Sequence, residues 1–367
     1  MNTVCHVTDH HLFAPTYAVA RERFLERARR AGAEVERHLH PAACGPGGEA
    51  LSIDVAMIGI DGDGPVLVVV AGTHGVEGFA GSAVLCDLLD RLAAKAPPCG
   101  LMLVHALNPY GFAWLRRVNE DNIDLNRNFL LDHRDPPPDP GYAPLHPLLL
   151  PKSWSGPERE AADAALMQRI AADGVAAVQK AITTGQYHHP DGLYYGGAAP
   201  AWSNRVLRGL IEARLLGRRV GVIDVHTGLG PSGHGELLFS GAPGGAECER
   251  AQRWYGEGEV AVEQLGDAIS PPLTGEMPTA FDHVDATGGE VTRVTLEYGT
   301  APVLEVMQAL RAEHWLYLYG RPHSPGGVEI KRALRAAFEV ATPEWRAQVL
   351  TRAAAVIDRA FAGLTRR

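Results

Sequence analysis

Between Pro65 and Gly72 the chain reads PVLVVVAG, an unbroken apolar run dominated by valine. Valine is stiff at χ1 and packs well on a pleated surface, so the run predicts a strand. It lacks polar alternation, and a strand with no polar side must bury both faces, as happens where helices cover a parallel sheet from either side. The residues that follow agree. Glu77 to Ala94 has helical character and Leu101 to Leu107 is a second apolar strand, and the order strand, helix, strand builds parallel α/β sheets.

The rest of the chain extends this pattern. Thr16 to Ala31 predicts a helix, Val35 to His40 and Leu51 to Ile60 predict strands, and Glu158 to Ala181 predicts one long helix. Asp135 to Pro151 (DPPPDPGYAPLHPLLLP) reads as a loop, because proline supplies no donor to helix or ladder. Arg219 to Val225 (RVGVIDV) is another buried strand, Glu290 to Tyr298 (EVTRVTLEY) a third with alternating character, and beyond Ala301 the chain reads as helical almost to Arg367. The expectation is an α/β fold: a single mixed, mostly parallel twisted sheet between helices. It forms one domain over residues 1–367, with an N-terminal helix and a helical segment from about 302 to 367 packed on it.

Composition excludes several function classes. Acidic residues outnumber basic ones, 43 to 34, and a net charge of -9 repels phosphate backbones, so nucleic acid is not an expected partner. The longest strongly apolar run, Val66 to Gly72, is far short of the ~20 residues of a membrane helix. The opening MNTVCHVTDHHLFAP lacks a basic segment followed by an apolar one, which predicts a cytoplasmic protein. The five cysteines (Cys5, Cys44, Cys86, Cys99, Cys248) include no C-x-x-C pair and fit reduced thiols.

Chemistry concentrates where strands end. Val66 to Ala71 runs into GTHGVEG, which sets His74 and Glu77 just past a carboxyl end, where open α/β sheets bind ligands. Three residues apart on a helical turn, the two side chains can reach one metal ion. An isolated H-x-x-E is equally a loop histidine near a capping glutamate, but RVGVIDV also ends at a histidine, His226. His74, Glu77 and His226 together offer two nitrogens and a carboxylate, leaving a fourth tetrahedral position for water, as a catalytic zinc requires. A third strand, VTRVTLEYG, delivers Glu297, a glutamate free to take a proton from that water. Glu236 and Glu290 are the acids to consider if Glu297 does not serve. In RRVNEDNIDLNRNF, Arg127 and Asn126 offer a planar fork and an amide for a substrate carboxylate, and Asp124 can accept the outer N–H of a zinc histidine. The alternative for that segment is a polar turn.

Taken in order, THGVEG, DLNRNF, DVHTG and TLEYG resemble the zinc carboxypeptidases of the M14 type, and most closely the branch grouped as DUF2817, over about Val66 to Thr300. The resemblance implies the zinc-carboxypeptidase architecture and one Zn2+ per chain on His74, Glu77 and His226. It implies Asp124 supporting His74, Asn126 and Arg127 holding the terminal carboxylate, and Glu297 as general base. It further implies an upstream arginine that polarises the scissile carbonyl, for which Arg117 and Arg116 are the candidates, Arg117 being preferred. GQYHHPDGLYYGG also resembles a motif of this branch, offering Tyr187, His188, Tyr194 and Tyr195 as pocket residues, with Tyr195 preferred; an aromatic turn packed into the core is the alternative. The implied partner is a small peptide or an N-acyl amino acid. The aspartoacylase and succinylglutamate desuccinylase branch carries the same zinc set but usually adds a C-terminal β domain, whereas here the chain from Pro302 reads as helices. An inert zinc module that binds a carboxylate ligand is a third reading, against which Glu297 argues, since binding alone needs no base.

Overall fold

The computed structural model describes residues 11–266 and 268–366. Cys5 and the first ten residues of the opening segment lie outside them. Among the described residues, eight strands form one sheet: β1 (Glu34–Cys44), β2 (Ala50–Ile58), β3 (Val66–Ala71), β4 (Gly100–His105), β5 (Arg219–Ser232), β6 (Gly235–Phe239), β7 (Val260–Val262) and β8 (Glu290–Gly299). Their order is β1-β2-β4-β3-β5-β8-β6-β7. The central four, β4, β3, β5 and β8, run parallel, while β2 and β6 join them antiparallel. The mixed sheet with a parallel centre is the α/β fold expected from the valine run.

Strand β3 meets that expectation residue by residue. Val66, Val68 and Val70 enter one apolar cluster, Leu67, Val69 and Ala71 another, and all six are fully buried. Fully burying a side chain of this size stabilises by roughly 1.5–3 kcal/mol, so both faces of this one strand contribute strongly.

Around the sheet stand helices α1 (Tyr17–Arg30), α2 (Gly78–Leu92), α3 (Pro157–Asp173), α4 (Val175–Thr183), α5 (Trp202–Arg214), α6 (Ala246–Tyr255), α7 (Val303–Tyr319), α8 (Pro325–Phe338) and α9 (Pro343–Thr365). Helices α1, α2, α6 and α9 cover one face, and α5 covers the other. Helices α3, α4, α7 and α8 share a third cluster with Val76, just past β3, and so stand at the carboxyl ends of the strands. Helices α1 and α9 begin on Thr16 and Thr342, whose hydroxyls accept from Val19 N–H and Trp345 N–H, satisfying groups a helix start leaves open. No helix among the described residues is long and apolar enough to cross a membrane.

Some boundaries differ from the sequence expectation. The long helix expected over 158–181 is two, because Gly174 at φ +86° turns the chain between α3 and α4. The proline-rich loop contains a helical turn, His146–Leu149, where Pro147 sits in the first turn and so removes no helical hydrogen bond, and Leu149 is buried. Strand β1 continues through Pro41 to Cys44, tolerated because β1 is an edge strand. Strand β5 does not stop at His226 but runs to Ser232, with a register break against β8 between Thr227 and Ser232. Gly228 and Gly230 there have φ of +141° and +108°, so the glycine-rich segment is a bulge rather than a loop.

Candidate active site

The topology brings the strand-end residues together. Strand β3 lies between β4 and β5, parallel to both, so the chain leaves its carboxyl end at a switch point where a crevice opens. After Gly72 comes Thr73, then His74, then the tight turn Gly75–Glu77 that starts α2. The turn is pressed onto the next loop: Gly75 and Val76 N–H donate to the carbonyls of Arg117 and Arg116 at 3.1 and 2.8 Å. A Cβ on Gly75 would lie 2.0 Å from the Gly111 carbonyl carbon, so only glycine fits there. His226 emerges from β5 beside it, and Glu297 is its register partner on β8.

His74, Glu77 and His226 are buried and offer one donor atom each within 4.8 Å of one another. The Nδ1 atoms of the two histidines are 3.2 Å apart, and face Glu77 Oε1 at 2.9 Å and Oε2 at 3.2 Å. Each imidazole is held from behind: His74 Nε2 lies 3.1 Å from Asp124 Oδ1, and His226 Nε2 lies 2.6 Å from Asp224 Oδ2. A carboxylate on the outer nitrogen keeps the proton there and leaves the Nδ1 lone pair for a metal. Two imidazole nitrogens and a carboxylate, with both rings so oriented, fit a divalent metal ion. A second group of close donors, His146, His189 and Asp191, is arranged differently. There the two imidazoles stack 4.4 Å apart at 25°, so their in-plane lone pairs do not converge.

The charges interlock. Against a burial that would raise it, the His74 and His226 imidazoles hold Glu77 well below the usual carboxylate range. Likewise Asp124 is kept low by Arg117 and His74 despite burial. Asp224 and Glu77 raise His226 well above an ordinary histidine although burial opposes them. Glu297, by contrast, is pushed up to about 8 by burial and by Glu77. Its Oε1 accepts from Leu229 N–H at 2.9 Å, a donor supplied by the β5 bulge.

Arg117 lines the cavity, donating from Nε to Asp124 Oδ2 at 2.9 Å and from Nη1 to Glu77 Oε1 at 3.3 Å. Arg116 points elsewhere: it is bound to Glu313 at 2.9 Å and lies 3.6 Å over the Tyr317 ring. Asn126 and Arg127 both line the cavity, on the short turn Leu125–Arg127 that Asp124 caps by accepting from Asn126 N–H at 3.0 Å.

Tyr195 is not where the sequence reading put it. Its side chain packs in the apolar cluster under the sheet, and only its carbonyl serves the site, accepting from Asp124 N–H at 2.8 Å. Tyr194 lines the cavity instead, its ring 5.0 Å from the Arg117 guanidinium carbon and 5.7 Å from that of Arg127. Tyr194 has φ +54°, a left-handed conformation costing a bulky residue roughly 1–3 kcal/mol, and such strain gathers at functional sites. Tyr187 is turned away, donating to the Arg127 carbonyl at 2.7 Å, and His188 is exposed. Of the reserve acids, Glu290 sits at the far end of β8 against Arg219.

Three residues escaped the sequence reading. Asp224 had a signal, as the lone acid in the apolar strand RVGVIDV, two residues before His226. Glu263 and Glu276 had none, since each stands in a short turn without patterned neighbours, yet both line the cavity. The cavity opens to solvent and is walled by Val303, Met307 and Phe338 opposite the strand ends.

No curated protein matches the chain. Solved structures similar to it include thrombin activatable fibrinolysis inhibitor, at 12% identity and a TM-score of 0.47, over 92% of this chain and 74% of that one. A metallo-carboxypeptidase from Burkholderia cenocepacia is similar at 14% identity and a TM-score of 0.43, over 90% and 68%. A succinylglutamate desuccinylase from Silicibacter sp. is similar at 14% identity and a TM-score of 0.39, over 83% and 65%. The family model described as protein of unknown function, DUF2817, matches residues 13–352, and the chain belongs to that family.

Proposed function

We propose that this protein is a zinc-dependent hydrolase that cleaves an amide bond next to a free carboxylate, in the manner of a carboxypeptidase. One observation carries the reading: His74, Glu77 and His226 converge, and a further buried glutamate, Glu297, stands beside His226 in the same cavity.

His74, Glu77 and His226 would hold the ion, which when bound supplies Lewis-acid activation of water and of the scissile carbonyl. The chain does the rest. Arg127 spends three of its five N–H donors, on the Thr183 carbonyl at 3.0 and 2.5 Å and on the Asn126 carbonyl at 2.7 Å. One donor is left on each terminal nitrogen, the fork that a carboxylate accepts. Asn126 Oδ1 is taken by Met277 N–H at 2.8 Å, so its NH2 group is the free end. Arg117 places a positive charge over Glu77, suited to the negative charge that the carbonyl oxygen gains as water adds to the carbonyl carbon. Glu297 has one oxygen engaged by Leu229 N–H, and the other accepts a proton from water and returns it to the leaving nitrogen.

The test is release of free amino acid from hippuryl amino acids and from tripeptides, with added zinc and with a chelator. Free acids should be cleaved only with zinc, and C-terminally amidated versions should not be. Equal cleavage of amides would remove the carboxylate clamp, and no release from any acid would remove the hydrolase reading. Cleavage of hippuryl compounds without tripeptides would redirect it to an N-acyl amino acid deacylase.

A further inference from the structure

The cavity contains two carboxylates that this reaction leaves unused. Glu263 follows edge strand β7 and Glu276 precedes the turn Met277–Phe281. They are 4% and 8% exposed, and both line the cavity with Arg127. Glu263 Oε2 is buried with no hydrogen-bond partner. Glu276 is fixed from both sides, because Met277 N–H donates to Asn126 Oδ1 at 2.8 Å and the Gly275 carbonyl accepts from Phe129 N–H at 2.9 Å. Gly275 has φ +69°, and a Cβ on it would lie 2.3 Å from the Arg127 carbonyl oxygen, so glycine is what lets this loop close on the clamp.

Charge then decides what the pair is for. Glu77, Asp124, Asp224, Glu263, Glu276 and Glu297 are all buried here, six carboxyl groups against three cations, the guanidinium groups of Arg117 and Arg127 and the His226 imidazole. A divalent ion does not close that gap, and a substrate carboxylate on Arg127 widens it. A carboxylate buried without a counter-charge is costly, so these groups either hold protons or face a cation. Burial and each other's proximity do push Glu263 up to about 9, and burial raises Glu276. An amine or guanidinium brings the donors Glu263 Oε2 lacks and the charge the cavity lacks.

Resting on the hydrolase reading above, we propose that Glu263 and Glu276 form a specificity pocket for a cationic side chain on the residue that bears the free carboxylate. The preferred substrates therefore end in a basic amino acid. The experiment compares kcat/KM at pH 8 for hippuryl-lysine and hippuryl-norleucine, which differ by the ammonium group. Hydrogen bonds from a charged donor favour lysine by about 10- to 100-fold, and the ratio falls toward one in Glu263→Gln and in Glu276→Gln. A native ratio near one, or a preference for hippuryl-aspartate, overturns the pocket whether or not either variant folds. Failure of the hydrolase reading looks different, as no acid is released from any substrate. In that case calorimetry of N-acetyl-lysine against N-acetylnorleucine on the zinc-supplemented protein decides: tighter lysine binding supports the pocket, and equal binding overturns it.

Discussion

Glu297 and His226 are register partners on adjacent parallel strands, and that pairing sets the proposed base beside a proposed metal ligand without making it one. Glu297→Gln keeps the shape and deletes proton transfer. It should lower kcat by about 100- to 10,000-fold while zinc content and substrate binding are retained; loss of zinc together with activity would make Glu297 a ligand. Residue-scale choices also show what the sequence could and could not express. Arg116 and Arg117, like Tyr194 and Tyr195, are adjacent, and neighbours in such segments point apart, so one of each pair serves the cavity. Nothing in the order of residues says which, because the answer depends on Glu313 and Tyr317 drawing Arg116 away and on the apolar cluster receiving Tyr195.

His105 gives a prediction outside the site. It is fully buried against the Phe24 ring, and burial pushes it down to about 4, so the folded protein refuses a proton that the unfolded chain accepts near pH 6.5. Its contribution to stability is therefore complete above pH 6.5 and is lost as pH falls toward 4. Urea unfolding should show the native protein losing roughly 2 kcal/mol more between pH 7 and pH 5 than His105→Gln does. Parallel losses would mean that His105 is charged in the fold.

Among the elements, β8 carries Glu297 and α9 holds its end in place. Trp345 of α9 is buried and donates from Nε1 to the Gly299 carbonyl at 2.9 Å, two residues from Glu297. Trp345→Ala should cost about 3–5 kcal/mol in urea unfolding, and should also lower kcat, because the Gly299 carbonyl at the strand end keeps the Gly233 N–H but loses the Trp345 donor. A stability loss with kcat intact would uncouple α9 from the site. Strands β3, β4 and β8 were legible because continuous or alternating apolar runs have few other solutions. Strands β6 and β7 were not, being short pieces at the edge, and helices α5 and α6 were not expected either. The β5 bulge was hidden because glycine-rich text reads as loop until a partner strand imposes a ladder on it.

At the scale of the whole molecule, His74 and His226 are 152 residues apart in sequence and meet because β3 and β5 are adjacent and parallel. Strand ends could be read from the sequence, but strand order could not, since periodicity says nothing about neighbours. The convergence of THGVEG, DVHTG and TLEYG was expected from their strand-end positions and from the resemblance, and the strand order β3-β5-β8 supplies its physical reason. Glu263 and Glu276 were illegible for the same reason, reaching the cavity only through edge strand β7 and a loop closed by Gly275.

Binding of one zinc ion by the proposed ligands His74, Glu77 and His226 is checked by the zinc content of dialysed protein, measured by elemental analysis for the native chain and for His226→Ala. One zinc per native chain, lost in the variant, is the expected result. Equal zinc occupancy in both, or none in the native chain after zinc supplementation, would contradict it.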